Sequence, residues 1–290
     1  MYAAYFGLKE NPFKLTPEPR YLFLSEQHRD ALNYLIYGIK EKKGFVLISG
    51  GIGTGKTTIC RTLLNLLDPY PSVETALIFN TAISDVELLE SVVAEFGIEV
   101  PKETGTKKSY IDALNGFLLK NFAAGKNAVL MIDEAQNLSH GVLEQIRMLS
   151  NLETEREKLL QIILIGQPEL KATLSLPALR QLNERITVRY DLKPLSADDV
   201  VAYIHHRLCV AGGPGKIQFA KGAYRQVFDF SEGIPRRINA LCDRALLIAY
   251  AKNISRIDRR VIRHAARDIG SGYLQKTISS ERKLWLRLTT

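Results

Sequence analysis

The sequence predicts an α/β protein in which a parallel sheet enclosed by helices is followed by a smaller all-helical unit. Three observations carry this expectation. The first is an apolar run, Phe45-Val46-Leu47-Ile48-Ser49, that leads into glycine-rich sequence and then a helix-compatible stretch. The second is the continuous apolar run Ala128–Ile132, of the kind found in strands buried on both faces, with a further buried strand expected at Leu160–Ile165. The third is a change of pattern at Ser196, after which only helical periodicity recurs.

The glycine-rich stretch reads Gly50-Gly51-Ile52-Gly53-Thr54-Gly55-Lys56-Thr57-Thr58. It fills the fixed positions of a Walker A phosphate loop, G-x-x-x-x-G-K-[ST], and sits between strand and helix as that motif requires. Glycines let backbone N–H groups approach phosphate oxygens. The helix that opens near Gly55 points its positive end at the same place. Lys56 supplies a point charge for the β- and γ-phosphates, and the Thr57 hydroxyl is a candidate Mg²⁺ ligand. All nine residues from Gly50 to Thr58 are candidate nucleotide-binding residues.

Before this loop, residues 1–44 form an N-terminal segment. Prolines at 12, 17 and 19 favour extended or turning backbone, and Ser25 is placed to cap a helix carrying Leu32, Leu35, Ile36 and Ile39. The segment is expected to pack on the nucleotide site, either around a base or simply as cover. After the loop, a helix over Thr57–Leu67 stops at Asp68-Pro69, and Glu74–Phe79 is a strand candidate. Ser84-Asp85-Val86-Glu87 reads as a capping box opening a helix that ends near Gly97, and Ser109–Phe122 is a further helix. Helix Ser139–Leu149 and a strand at Ile186–Leu192 complete the unit, expected to span 45–195. Strands alternating with helices imply right-handed crossovers.

From Ser196, helices are expected at Ala197–Val210, Lys221–Phe230, Pro235–Ala251 and Asp258–Ile269, making a helical unit over 196–270. Residues 271–290 form a tail with Lys276, Arg282, Lys283 and Arg287 against Glu281, and an apolar Leu284-Trp285-Leu286. It reads as a solvated extension, or as a segment meeting a membrane surface or a partner.

Composition narrows the class. No apolar run approaches the ~20 residues that cross a bilayer, and the N-terminus has no signal-peptide pattern, so a cytoplasmic chain is expected. Cys60, Cys209 and Cys242 are too far apart for a metal-ligand spacing or a disulfide framework. The net charge of +8 is compatible with nucleic acid, an anionic surface or a nucleotide site and does not choose between them.

Asp133 and Glu134 end the apolar run Ala128–Ile132. Downstream of a phosphate loop this is a Walker B pattern, with Asp133 for the metal and Glu134 as the base toward water. Gln167, just after Leu160–Ile165, is placed to reach a γ-phosphate or the attacking water. Arg180 and Arg185 stand just before the last strand, where an arginine that completes a neighbour's site is expected, Arg185 ahead of Arg180. Gly233-Ile234-Pro235-Arg236-Arg237 opens a helix whose Arg236 is a candidate sensor of phosphate.

Together these residues resemble the AAA+ ATPases, and within them the ExeA/GspA-type ATPases of type II secretion with their MshM-like pilus-biogenesis relatives. The more specific stretches are Asp133-Glu134-Ala135-Gln136-Asn137-Leu138, Gly166-Gln167-Pro168-Glu169-Leu170 and Gly233-Ile234-Pro235-Arg236-Arg237-Ile238-Asn239, and the likeness spans 1–270. The resemblance implies a five-stranded sheet of order 5-1-4-3-2, a helical lid, and ATP/ADP with Mg²⁺ as cofactors. It further implies self-association into a ring or other oligomer, hydrolysis of ATP, and an envelope secretion or pilus assembly partner at the inner face of the inner membrane. The basic tail would then approach the membrane. Many AAA+ proteins carry Asn or Thr where Gln167 stands. A second resemblance, to the transposition ATPase TniB, implies instead that ATP gates a protein–DNA assembly. Arg256, Arg260, Arg263 and Arg267 share one helical face, which would track phosphates, meet acidic lipid or be solvated.

Overall fold

The structure, a computed structural model, describes residues 2–100, 105–154, 157–213 and 215–273. The basic residues of the tail, from Lys276 onward, lie outside the described residues. The chain divides into two compact units. One comprises residues 26–52 and 56–193. The other comprises, among the described residues, those up to 25, the loop tip 53–55 and those from 194 onward.

The larger unit holds β1 (Phe45–Gly50), β2 (Val73–Ile78), β3 (Asn127–Ile132), β4 (Leu160–Gly166) and β5 (Ile186–Leu192) in one sheet of order β2-β3-β4-β1-β5. This is the expected 5-1-4-3-2 order read from the other edge. Each adjacent pair is parallel. The runs Ala128–Ile132 and Leu160–Ile165 are central strands, as burial on both faces demands, and Gln161, the polar residue in the second, is buried and donates to the Ile39 carbonyl at 3.1 Å. β1 and β4 are buried throughout their length, whereas the edge strand β5 alternates buried and exposed positions, as a half-covered strand does.

Around the sheet lie α2 (Glu26–Lys40), α3 (Lys56–Leu67), α4 (Asp85–Glu95), α5 (Lys107–Ala123) and α6 (His140–Leu149), followed by the short α7 (Pro168–Leu174) and α8 (Arg180–Arg185). The expected capping box closes on α4. Ser84 accepts from the Glu87 N–H, and the Glu87 carboxylate accepts from the Ser84 N–H at 2.7 Å. Leu88, Leu89 and Val92 of α4 and Leu114 and Leu118 of α5 join Leu130, Ile132, Ile162 and Leu164 of the sheet in one core. The short α7 and α8 escape the sequence pattern because each has barely two turns in which to show a period.

The smaller unit begins with α1 (Tyr2–Phe6) and continues through α9 (Ala197–Val210), α10 (Lys221–Ser231), α11 (Pro235–Ala251) and α12 (Arg259–Tyr273). A two-residue pairing of β6 (Gln218–Phe219) with β7 (Arg256–Ile257) ties the start of α10 to that of α12. The expected segment 1–44 therefore divides at Ser25. Phe6, Leu8, Phe13 and Tyr21 enter the core of the helical unit with Tyr203, Ile204, Leu241 and Leu246, while α2 belongs to the sheet unit. A buried Arg207 holds this segment. Its guanidinium donates to the Pro12 and Lys14 carbonyls and lies 4.5 Å from the centroid of the Tyr21 ring. Pro235 occupies the first turn of α11, where its missing N–H is harmless.

Candidate functional site

In a parallel sheet the loops that bind ligands lie beyond the carboxyl ends of the strands. Here β1 ends at Gly50, β3 at Ile132 and β4 at Gly166, on three adjacent strands whose register aligns Ser49 with Gly166 and Ile132 with Leu164. The residues that follow these ends are the phosphate-loop pattern, Asp133-Glu134 and Gln167. The topology thus brings the three motifs to one edge.

Lys56, the first residue of α3, is buried. Its ammonium donates to the Gly50 carbonyl at 2.8 Å and the Gly51 carbonyl at 3.0 Å. Burial pushes its pKa below the ordinary lysine value, and the carboxylates of Glu134, Asp133 and Glu169 oppose that shift. The lysine therefore sits in an enclosure where an added anion would favour its charged form.

The Thr57 hydroxyl donates to Asp133 Oδ2 at 2.7 Å. Asp133 is 1% exposed, and its Oδ1 accepts the Glu134 N–H at 2.9 Å. A hydroxyl and a carboxylate side by side are hard oxygen donors. They fit Mg²⁺, which takes one or two protein oxygens and completes its shell with water and phosphate.

Glu134 has left-handed backbone, φ 53° and ψ 36°, unusual for a residue with a side chain. Its carbonyl accepts from Thr81 Oγ1 and from the Asn137 N–H, each at 3.0 Å. Its carboxylate accepts from Gln136 Nε2 at 2.5 Å and Gln167 Nε2 at 3.2 Å. Gln167 thus lies within hydrogen-bond reach of Glu134. Thr81 and Gln136 carried no assigned role in the sequence. Gln136 lies within the stretch Asp133–Leu138, and Thr81, just after β2, belongs to no motif.

The arginines are placed elsewhere. Arg185 ends α8 and donates from Nη1 to Ser150 Oγ and Asn151 Oδ1, each at 2.6 Å, at the C-terminal end of α6. Arg180 is exposed and pairs with Glu184 at 2.8 Å. Neither is joined to Asp133 or Glu134 within the described residues of this one chain. Arg236 is exposed at the start of α11. Within the helical unit its backbone N–H donates to the Gly53 carbonyl at 3.2 Å. A Cβ on Gly53, whose φ is +78°, would fall 2.6 Å from Arg236 Cβ, so a glycine is needed at the tip. Arg256, Arg260, Arg263 and Arg267 are all exposed.

Comparison with known proteins agrees with this geometry. A family model described as an AAA domain matches residues 39–174. General secretion pathway protein A of Aeromonas hydrophila is 47% identical over 269 residues, which is 93% of this chain and 48% of that protein. The chain belongs to the AAA+ family and is of the ExeA/GspA type. This AAA+ chain spans about half the length of that curated relative. Among solved structures, Cdc6p from Pyrobaculum aerophilum superposes with a TM-score of 0.70 at 14% identity, over 89% of this chain and 71% of that one. The RuvB Holliday junction branch migration motor of Thermotoga maritima gives 0.56 at 15% identity, over 84% and 69%. At such identities these two structures speak for the AAA+ fold alone. Among the described residues of the AAA+ chain, no helix is long and apolar enough to cross a membrane.

Proposed function

We propose that this chain binds ATP with Mg²⁺ and hydrolyses it, and that the nucleotide cycle drives assembly of an envelope secretion or pilus machine. The observation that carries the reading is the cluster of Lys56, Thr57, Asp133 and Glu134 at the carboxyl ends of β1 and β3, with Thr57 and Asp133 2.7 Å apart. The loop Gly50–Thr58 holds the phosphates, Lys56 neutralises the β- and γ-oxygens, and Thr57 and Asp133 hold the metal. Bound Mg²⁺ would supply charge stabilisation on the transferring phosphoryl group. Glu134 takes a proton from the attacking water. Gln167 reaches toward the water or the γ-phosphate, and Arg236 reports on nucleotide within the same chain.

The secretion role rests on the likeness to general secretion pathway protein A. We place Arg185, or Arg180, at the nucleotide of a neighbouring copy in a ring or other oligomer. The exposure of Arg180 leaves it accessible to a neighbour, and Arg185 would have to leave its partners on α6.

The test is Glu134→Gln. It keeps ATP binding within about 3-fold and lowers turnover at least about 100-fold, the scale of a lost general base. Near-normal turnover in that variant would remove Glu134 from the mechanism.

A second reading, in which ATP gates a protein–DNA assembly, is favoured by the exposed arginine face of α12 and its approach at Arg256. Duplex-DNA affinity that rises with ATP and falls steeply with salt would support it, because phosphate contacts release counterions. Flat, ATP-independent binding at physiological salt would leave the secretion or pilus reading.

A further inference from the structure

Gln136 stands two residues after Glu134 and uses both ends of its side-chain amide. Its Nε2 donates to Glu134 Oε2 at 2.5 Å, and its Oε1 accepts the backbone N–H of Gln167 at 3.0 Å. Gln167 Nε2 in turn donates to the same Glu134 Oε2 at 3.2 Å. Three residues close a ring in which one carboxylate oxygen receives two amide donors. Among the described residues, no hydrogen bond is made to Glu134 Oε1.

An ionised carboxylate can only accept, so occupying Oε2 with two donors fixes the rotamer and leaves Oε1 as the oxygen that can take a proton. The surroundings enforce this arrangement. At the end of β4, a Cβ on Gly166 would come 2.7 Å from Leu170 Cδ2 and 3.1 Å from Gln136 Oε1, so a side chain there would crowd the amide. The carbonyl of Glu134 is pinned separately by Thr81.

We propose that Gln136 is the positioning residue for Glu134. It orients the carboxylate and ties that orientation to the backbone of Gln167, so that a shift at the end of β4 is transmitted to the base. This rests on the reading of Glu134 as the base.

The test uses the full chain. Steady-state ATP turnover is compared for the wild type, Gln136→Ala, Glu134→Gln and the double variant. Side-chain amide ¹H–¹⁵N spectra are recorded on nucleotide-free wild type and Glu134→Ala. Gln136→Ala is expected to lower kcat about 10- to 100-fold, the loss that follows from misplacing a reacting group by about 1 Å, with KM within about 3-fold. In the Glu134→Gln background it should add nothing further, because the two act as a unit. The Gln136 and Gln167 side-chain amide signals should both move in Glu134→Ala.

The spectral comparison needs no turnover and leaves Gln136 intact, so it decides the matter even if Gln136→Ala folds poorly. An unmoved Gln136 amide signal overturns the proposal. So does a double variant whose loss is the product of the single losses, or wild-type kcat in Gln136→Ala while Glu134→Gln is inactive. Normal turnover in Glu134→Gln instead sinks the base assignment itself, and the positioning role with it.

Discussion

Asp133 separates two jobs that substitutions can pull apart. Its buried carboxylate accepts from Thr57 Oγ1 at 2.7 Å and from the Glu134 N–H at 2.9 Å. In Asp133→Ala both donors lose their acceptor. The Thr57 hydroxyl is half-buried and turns to water, but the Glu134 N–H is left unpaired beside a strained backbone. A partly buried donor left without its acceptor costs on the order of 1 kcal/mol, so that loss is expected for the alanine variant. In Asp133→Asn the carbonyl oxygen of the new amide accepts the same N–H, and its NH₂ donates to Thr57, whose hydroxyl rotates to accept. Both hydrogen bonds survive and a buried charge is removed, so stability should stay within about 1 kcal/mol of wild type or rise slightly. Both variants lose the metal oxygen. Urea unfolding measures the first quantity, and fluorescent-nucleotide binding with and without Mg²⁺ measures the second. Equal destabilisation by Asn and Ala would refute the hydrogen-bond argument. A Mg²⁺ dependence unchanged in Asp133→Asn would refute the metal assignment.

Three further outcomes are expected. Gly233 has φ +73°, and a Cβ there would be driven into the Leu195 carbonyl oxygen, so Gly233→Ala should destabilise the helical unit by more than about 2 kcal/mol in thermal unfolding; a neutral substitution would contradict the backbone geometry. Arg185→Ala should keep nucleotide affinity within about 3-fold and lose most turnover, with activity partly restored by mixing with a Lys56→Ala variant; absence of any restoration counts against a site shared between copies. Asp258 caps α12 by accepting from the Val261 and Arg260 N–H groups, and these bonds, Val261 first, hold its carboxyl below the ordinary aspartate pKa. Because the folded value lies below the unfolded one, the stabilisation is full above the ordinary aspartate range and fades as pH falls through the depressed value. The roughly 1 kcal/mol cost of Asp258→Ala near neutral pH should therefore shrink in acid, and a pH-independent cost would exclude the charged cap.

What the sequence revealed follows from burial. β1, β3 and β4 were legible because a strand covered on both faces is mostly apolar, even though Ser49 and Gln161 are buried within β1 and β4. The capping box at Ser84 was legible because its chemistry is complete within four residues. By contrast, β6 and β7 have only two residues each and no alternation to read. The division at Ser25 was hidden because Phe6, Phe13 and Tyr21 are apolar whichever unit they enter, and Arg207, which holds them, reads as a surface residue until its partners prove to be carbonyls and tyrosine rings.

The candidate site divides along the same line. Lys56, Thr57, Asp133 and Glu134 belong to motifs whose spacing is local, so they could be named from the sequence. Gln136 and Thr81 act through contacts that exist only once β2, β3 and β4 lie side by side. Their effect converges on Glu134, whose N–H goes to the proposed metal ligand, whose carbonyl goes to Thr81 and whose carboxylate goes to two glutamines. Left-handed backbone at a residue with a side chain is unfavourable by roughly 1–3 kcal/mol and persists only where its surroundings over-determine it. Here they do so through every polar group the residue possesses. Metal ligand and base are thus joined through one strained peptide, and a displacement of Asp133 cannot leave the carboxylate of Glu134 where it was.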